Sequence, residues 1–342
     1  MKTTFTSTMA MQNAVRLAVQ RAQQELTQTQ SEITTGRHAD IGLALGSKTS
    51  RTISLTRDVA RLDSILDNNA LVAQRLSVSQ DALGQLSSNG QTMMETLITV
   101  SSSSDKAQRG VAQREMTAML ENFVAISNTS SSGEFLFAGV NTDVKPMANY
   151  EVAAKAAFDA ELDLAFGAGT PAGDYTAADM DTFLTNLEAR FDADWGTLWS
   201  EASDTNMTSR ITNSEIIESS TNANAEGFRK FALTAVIGAE LLDEDLSGEA
   251  RTVLMERLVG LAGEAIAGID AERAELGVAE SRVAKANTAL TDQKDVVATY
   301  IGELEGVDPY EASTRMNTLL TQMEASYALT ARIQQLSLMN YL

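Results

Sequence analysis

The sequence predicts a mainly α protein. Its expected form is a long antiparallel helical coiled-coil rod, built from N- and C-terminal arms, with a small α/β or mixed insert domain in the middle. Three observations predict it. Only 3 prolines occur in 342 residues, so helices meet few interruptions. Apolar residues recur with heptad spacing in both arms. Residues 151–250 hold 20 acids and 5 bases, and 10 of the 18 aromatic residues fall between Phe135 and Trp199. The middle therefore reads as a separate acidic globule with its own core.

The first element, 1–34, is an amphipathic helix. Val15, Val19, Ala22, Leu26, Thr29 and Ile33 alternate spacings of 4 and 3. Thr34-Thr35-Gly36-Arg37 ends it, because glycine is a poor helix-interior residue and a good C-cap. The N-terminal arm of the rod, 35–145, carries Leu55, Val59, Leu62, Leu66, Asn69, Ala73, Leu76, Gln80 and Leu83 on one stripe. The stripe continues through Leu86, Gly90, Met93, Leu97 and Val100, and the polar run Ser101–Asp105 breaks it. Residues 146–225 form the variable acidic insert. The C-terminal arm, 226–308, repeats Leu276, Val283, Leu290, Val297 and Leu304 every seven residues. Spacing of 3.5 keeps a narrow stripe facing a partner helix. Helices over 55–100 and 250–306 would be roughly 70 and 85 Å long, too long for a compact globule. A chain that goes out and comes back pairs its arms antiparallel most simply.

Asp308-Pro309 stops the second arm. Helical character then resumes over 309–342, with Met316, Leu319, Leu320, Met323, Tyr327, Leu329, Ile333, Leu336 and Leu338 as apolar surface. Short amphipathic helices are marginal alone. Their cover is the opposite terminus, the same surface on neighbouring chains, or a membrane face. Neither terminus has a Lys/Arg-rich polar side, which disfavours the membrane. Self-assembly is the preferred reading, with Val15, Val19, Leu26, Ile33, Met323, Leu329, Ile333 and Leu336 as the expected interface.

Composition narrows the chemistry. The net charge is -20, which opposes nucleic-acid binding, since that needs a basic footprint. Zero cysteines and one histidine leave no thiol catalysis, disulfide or structural zinc. Gly42–Thr49 resembles a phosphate-binding loop, but Ser47 separates Gly46 from Lys48 where the pattern needs them adjacent. His38 reads as a loop residue near a helix end. Asp243-Glu244-Asp245 lacks the calcium-loop pattern and reads as an exposed turn between helices. No run approaches the ~20 apolar residues of a membrane span. The expectation is no enzyme, no cofactor, no metal and no membrane insertion.

Three segments resemble the flagellin superfamily. Ser31–Arg37 looks like the family's entry from its terminal helix into the next region. Gly133-Glu134-Phe135-Leu136-Phe137-Ala138-Gly139-Val140-Asn141-Thr142 is similar to the motif that closes the N-terminal arm in its hook-associated members. Ser337-Leu338-Met339-Asn340-Tyr341-Leu342 is similar to the end of the same members. The resemblance covers about 1–145 and 225–342 and leaves the middle unmatched. It departs at Asp40–Gly46, where the family has an acidic pair and a "G-L-A-I" stretch.

The resemblance implies a structural role in the bacterial flagellum, joining hook to filament through the terminal helices. It implies a homo-oligomeric ring layer, another hook-associated protein and flagellin as neighbours, and an export chaperone on the C-terminal segment. It also implies an extracellular location reached by type III export without a cleaved signal peptide. The alternatives are a filament flagellin subunit and, in another class, a cytoplasmic coiled-coil signalling protein.

Overall fold

The computed structural model describes residues 8–103 and 105–339, without the side chains of 8, 9, 11, 12, 152, 153, 333, 334 and 336–339. The chain divides into two compact units, Met1–Ser64 with Thr291–Leu342, and Ile65–Leu290. Helices α3 (Thr49–Ser101) and α9 (Gly248–Glu305) contribute to both.

In the first unit, α1 (Thr8–Thr35) stops at Gly36, whose φ of 69° suits a residue without Cβ. The Gly36 N–H donates to the Glu32 carbonyl at 2.8 Å and closes the last turn. The short helix α2 (Ile41–Leu45) is capped by Asp40, which accepts from Leu43 N. Helix α10 (Pro309–Met339) begins on the proline, at the position where a missing N–H costs nothing. Helices α1 and α10 pack antiparallel: Gln23 donates to Tyr327 at 2.9 Å, and Glu32 lies 3.5 Å from Arg315. The parts of α3 and α9 in this unit also run antiparallel, with Asp63 2.6 Å from Lys294 and Arg51 stacked over Tyr300.

In the second unit the same two helices continue side by side. Asn69 donates to Asn287 at 2.7 Å, Gln80 to the Arg273 carbonyl at 2.6 Å, and Ser87 to Asp270 at 2.9 Å. The heptad stripe faces inward here. Leu76, Leu83, Leu276, Val283 and Leu290 are buried, as are Leu86, Met93, Leu97 and Val100. Toward the first unit's segments the stripe is shallower: Leu62 is buried, whereas Leu55, Val59, Leu66, Val297 and Leu304 are half-buried. Helix α4 (Lys106–Ser127) follows α3 in the chain and is capped by Asp105. A two-stranded hairpin, β1 (Ser130–Ser131) with β2 (Glu134–Phe135), follows. Helices α5 (Tyr150–Ala153), α6 (Lys155–Phe166) and α7 (Ala177–Asp194) build the middle, with a π-helical turn over Trp195–Trp199. A second hairpin pairs β3 (Thr208–Arg210) with β4 (Ile216–Glu218). Helix α8 (Glu226–Leu241) then packs on α4.

The C-terminal arm, 226–308, holds two helices, joined at the turn that the sequence places at Asp243–Asp245. Helix α8 ends at Leu241 and α9 starts at Gly248, with Asp243–Asp245 in the turn between them. Helix α8 leaves the heptad seam because it is apolar around most of its circumference, with 12 of its 16 residues buried. One expectation needs correction: the acidic middle does not have a core of its own. Its aromatics Phe158, Phe183, Phe191, Trp195 and Trp199 belong to one continuous cluster with Leu76, Phe123, Phe137, Phe228, Phe231 and Leu258. Clustered aromatics in a sequence say that something large is buried, not against what. Three cations on α8 and α9 fasten the acidic α7: Arg229 meets Asp192 at 2.8 Å, Arg257 meets Asp181 at 3.1 Å, and Lys230 pairs with Glu188. Arg190 of α7 itself turns the other way, to Glu161 of α6 at 2.7 Å.

Removing 150–222 behind a short linker strips the cover from Phe228 and Phe231. The shared core predicts a variant that binds a hydrophobic dye and loses cooperative melting, read by fluorescence and circular dichroism. A sharp melt with no dye binding would show that the helices stand alone.

The closest approach in the second unit is between α8 and α9. A Cβ on Gly227 would lie 2.4 Å from Ile269 N and 2.6 Å from Gly268 C, both backbone atoms. Gly227→Ala should therefore cost about 2 kcal/mol or more in urea denaturation. Gly260, with nothing within 4 Å, is the control. Gly260→Ala should stabilise α9 by about 0.5–1 kcal/mol.

Candidate assembly surface

The predicted interface residues divide into three groups. Val15, Val19, Leu26 and Ile33 are half-buried on α1, and Ala22 and Thr29 on the same stripe are buried. On α10, Ala312 and Leu319 are buried, and Met316 and Met323 are half-buried. Since α1 and α10 pack on one another, the two stripes cover each other within the chain. Leu329 is the predicted residue that stays open, at 50% exposure. Ile333 and Leu336 have side chains outside the described residues.

The outward surface is carried by different residues. Leu17, Leu320 and Tyr327 are 50, 40 and 50% exposed. Tyr310 and Leu43 are more open still. Leu17 sits off the 4-3 stripe, so a search for heptads passes over it. Leu320 is adjacent to Leu319 and was visible only as part of a dense apolar run.

Many hydroxyls of this helix pair satisfy themselves. On α1, Thr27, Thr29, Thr34 and Thr35 each donate to the carbonyl four residues back. On α10, Thr314, Thr318, Thr321, Ser326 and Thr330 do the same. A hydroxyl bonded to its own helix can be covered by a neighbour without leaving an orphan donor. The net charge is small as well. The first unit holds 11 Lys and Arg against 12 Asp and Glu, so the second carries a net charge of -19.

Two buried carboxylates anchor the base of this surface, and no periodic pattern marks either of them. Glu32 is 8% exposed; it accepts from Ala39 N at 3.1 Å and lies 3.6 Å from His38. Glu305 is 4% exposed and pairs with Arg37 at 3.2 Å. Backbone bonds from His38 N to Glu305 O and from Val307 N to Gly36 O complete the joint between the end of α1 and the end of α9. The Gly42–Thr49 segment is α2, a 3-10 turn and the start of α3, not a strand–loop–helix phosphate cradle. Asp245 is held by Lys106 at 2.9 Å and Arg109 at 3.2 Å, so this acid fastens α4 to the α8–α9 turn. No helix among the described residues is long and apolar enough to cross a membrane.

Burial separates the two roles of α10. Leu319→Asp puts a carboxylate into the α1–α10 contact and should lower the monomer's helicity and melting temperature. Leu329→Asp should leave both within error yet reduce self-association in sedimentation. Equal effects of the two substitutions on monomer melting would remove the distinction.

Comparison with known proteins agrees at both ends of the chain. Residues 6–142 match the bacterial flagellin N-terminal helical region, and residues 259–342 match the bacterial flagellin C-terminal helical region. No curated protein matches the chain. Among solved structures, a candidate flagellar hook-associated protein of Vibrio parahaemolyticus is similar with a TM-score of 0.54 and 12% identity, over 75% of this chain and 97% of that one. FlgL of Xanthomonas campestris gives a TM-score of 0.48 and 12% identity, over 72% of this chain and 99% of that one. The flagellin matches together take in more than half of the chain and flank the unmatched middle: the protein belongs to the flagellin superfamily and is a structural component of the flagellum.

Proposed function

We propose that this chain joins the flagellar hook to the filament as a short layer of identical subunits, assembled through α1 and α10. The observation that carries the assembly is the apolar surface that this helix pair leaves open. Leu17, Leu320, Tyr327 and Leu329 stay exposed among self-satisfied hydroxyls, and the unit has almost no net charge to repel a second copy. Such a face is marginal in water and is covered when copies meet, as apolar surface leaves water.

Three features favour the junction over the filament. The Gly133–Thr142 motif and the Ser337–Leu342 ending resemble those of hook-associated members. The middle is short and mostly spent on covering α8. The fold is that of the Vibrio protein, whose description is hook-associated. On this reading one side of the layer meets another hook-associated protein and the other meets flagellin. The subunit travels by type III export, with a chaperone holding the C-terminal segment beforehand. The proposed units are 1–34 and 309–342 for assembly, 35–145 and 226–308 for the helical body, and 146–225 for the insert. The proposed contact set adds Leu17 and Leu320 to Leu329, Ile333 and Leu336.

The test is a strain lacking this chain, complemented with the full sequence or with one lacking 333–342. The full chain should restore filaments, and immunogold should mark a single band at the distal end of the hook. The truncated chain should leave hooks bare and release flagellin into the medium. Label along the whole filament would identify a filament subunit instead, and filaments built with the truncated chain would reject the terminal mechanism.

A further inference from the structure

In the first unit, α3 and α9 carry opposite charge. The stretch 48–61 holds 4 bases and 1 acid, and the stretch 292–305 holds 4 acids and 1 base. The two helices face each other here through Asp63 with Lys294 and Arg51 with Tyr300. A helix turns once in about 3.6 residues, so Ile53, Arg57, Ala60 and Arg61 share the side of α3 turned away from α9. By the same count Asp292, Asp295, Val296 and Glu303 share the side of α9 turned away from α3. All eight residues are exposed.

Each face sets an open apolar residue among its charges: Ile53 is 48% exposed and Val296 is 70% exposed. Among the described residues, Arg57, Asp292, Asp295 and Glu303 form no ion pair. The contacts of Asp63 with Lys294 and of Arg51 with Tyr300 also fix the heights along the pair. Positions 57–61 lie level with 295–297. The unit therefore has a basic flank and an acidic flank at one height, on opposite sides, although its net charge is close to zero.

We propose that these flanks dock on one another between copies, the Ile53–Arg61 face of one subunit against the Asp292–Glu303 face of the next. The proposal rests on the reading of the chain as a layer of identical subunits, and it gives that layer its lateral contact. A second copy is the occupant because it brings the opposite charge at the matching height, with an apolar residue beside it. The contact is heterologous, since each subunit uses different faces on its two sides. It therefore runs on from copy to copy, as a ring requires, and does not stop at a dimer. Exposed ion pairs are individually weak and screened by salt, so this contact sets the order and orientation of neighbours, and α1 and α10 hold them.

The chain has no cysteine, so an engineered disulfide reports the docking. Full-length Ala60→Cys and Val296→Cys chains, mixed and oxidised, should give a cross-linked dimer, and neither should do so alone. Adding Arg57→Glu and Arg61→Glu to the first chain should lower the mixed yield about tenfold. Adding Asp292→Lys and Asp295→Lys to the second should then restore it, which a merely misfolded variant would not allow. A bond formed by either chain alone, or a yield that charge reversal leaves unchanged, overturns the docking. In assembled flagella, a photo-cross-linker on Val296→Cys should capture another copy of this chain; capture of flagellin in its place overturns the choice of partner. Native copies that associate in sedimentation while the mixed chains stay unlinked would sink the docking alone. Native copies that never associate would sink the layer as well.

Discussion

Helix α8 gives water only a narrow charged strip, Glu226, Arg229, Lys230 and Glu240, and buries the rest of its surface. Its neighbours have to close around it. Helix α4 packs along it, α9 crosses its start at Gly227 and Gly268, and the aromatic middle lies against it through α7. Phe123 stacks on Phe231 with centroids 5.2 Å apart, and Phe137 tilts onto Phe228 at 5.3 Å. The glycines let the two backbones come close at the crossing. The acidic middle is thus a wall of the core rather than an appendage. This explains why its charges are tied back by Arg229, Lys230 and Arg257.

Much of this was legible in the sequence. The heptads placed α3 and α9, and Gly36, Ser101–Asp105 and Pro309 marked the breaks, because those residues act through local backbone chemistry. What could not be read was partnership. The Val15–Ile33 stripe announces that something covers it, but a stripe carries no address, and α10 of the same chain occupies it. The apolar residues of α8 run around most of the helix, so their spacing does not say which neighbour covers which side. Leu17 and Leu320 fall outside the repeat, so nothing in the spacing singled them out. Glu32 and Glu305 look like ordinary surface acids until Arg37, Ala39 and Arg315 converge on them.

The buried polar groups divide the same way. Asn69 sits at a heptad position where leucine would pack better, and it is fully buried. It donates both to Asn287 and to the Ile211 carbonyl at 2.9 Å, so one amide holds α3 to α9 and to the loop after β3. A slip of one turn would leave that amide without either acceptor, and so the pair fixes the register of the two helices. Sequence shows the asparagine as a flaw in the stripe; the fold shows it as a fastener.

The uneven sharing of charge between the two units has a consequence for any assembly of copies. Mutual repulsion scales with the product of the charges. Units near neutrality meet at almost no electrostatic cost, and units of -19 do not. Charges are screened over about 8–10 Å at ordinary ionic strength, which is wider than the gap in a packed contact. A crowd of the acidic units must therefore hold a cloud of cations among them. The osmotic pressure of those trapped ions keeps that part of each molecule wet and separate, while the helical ends are free to dry against one another.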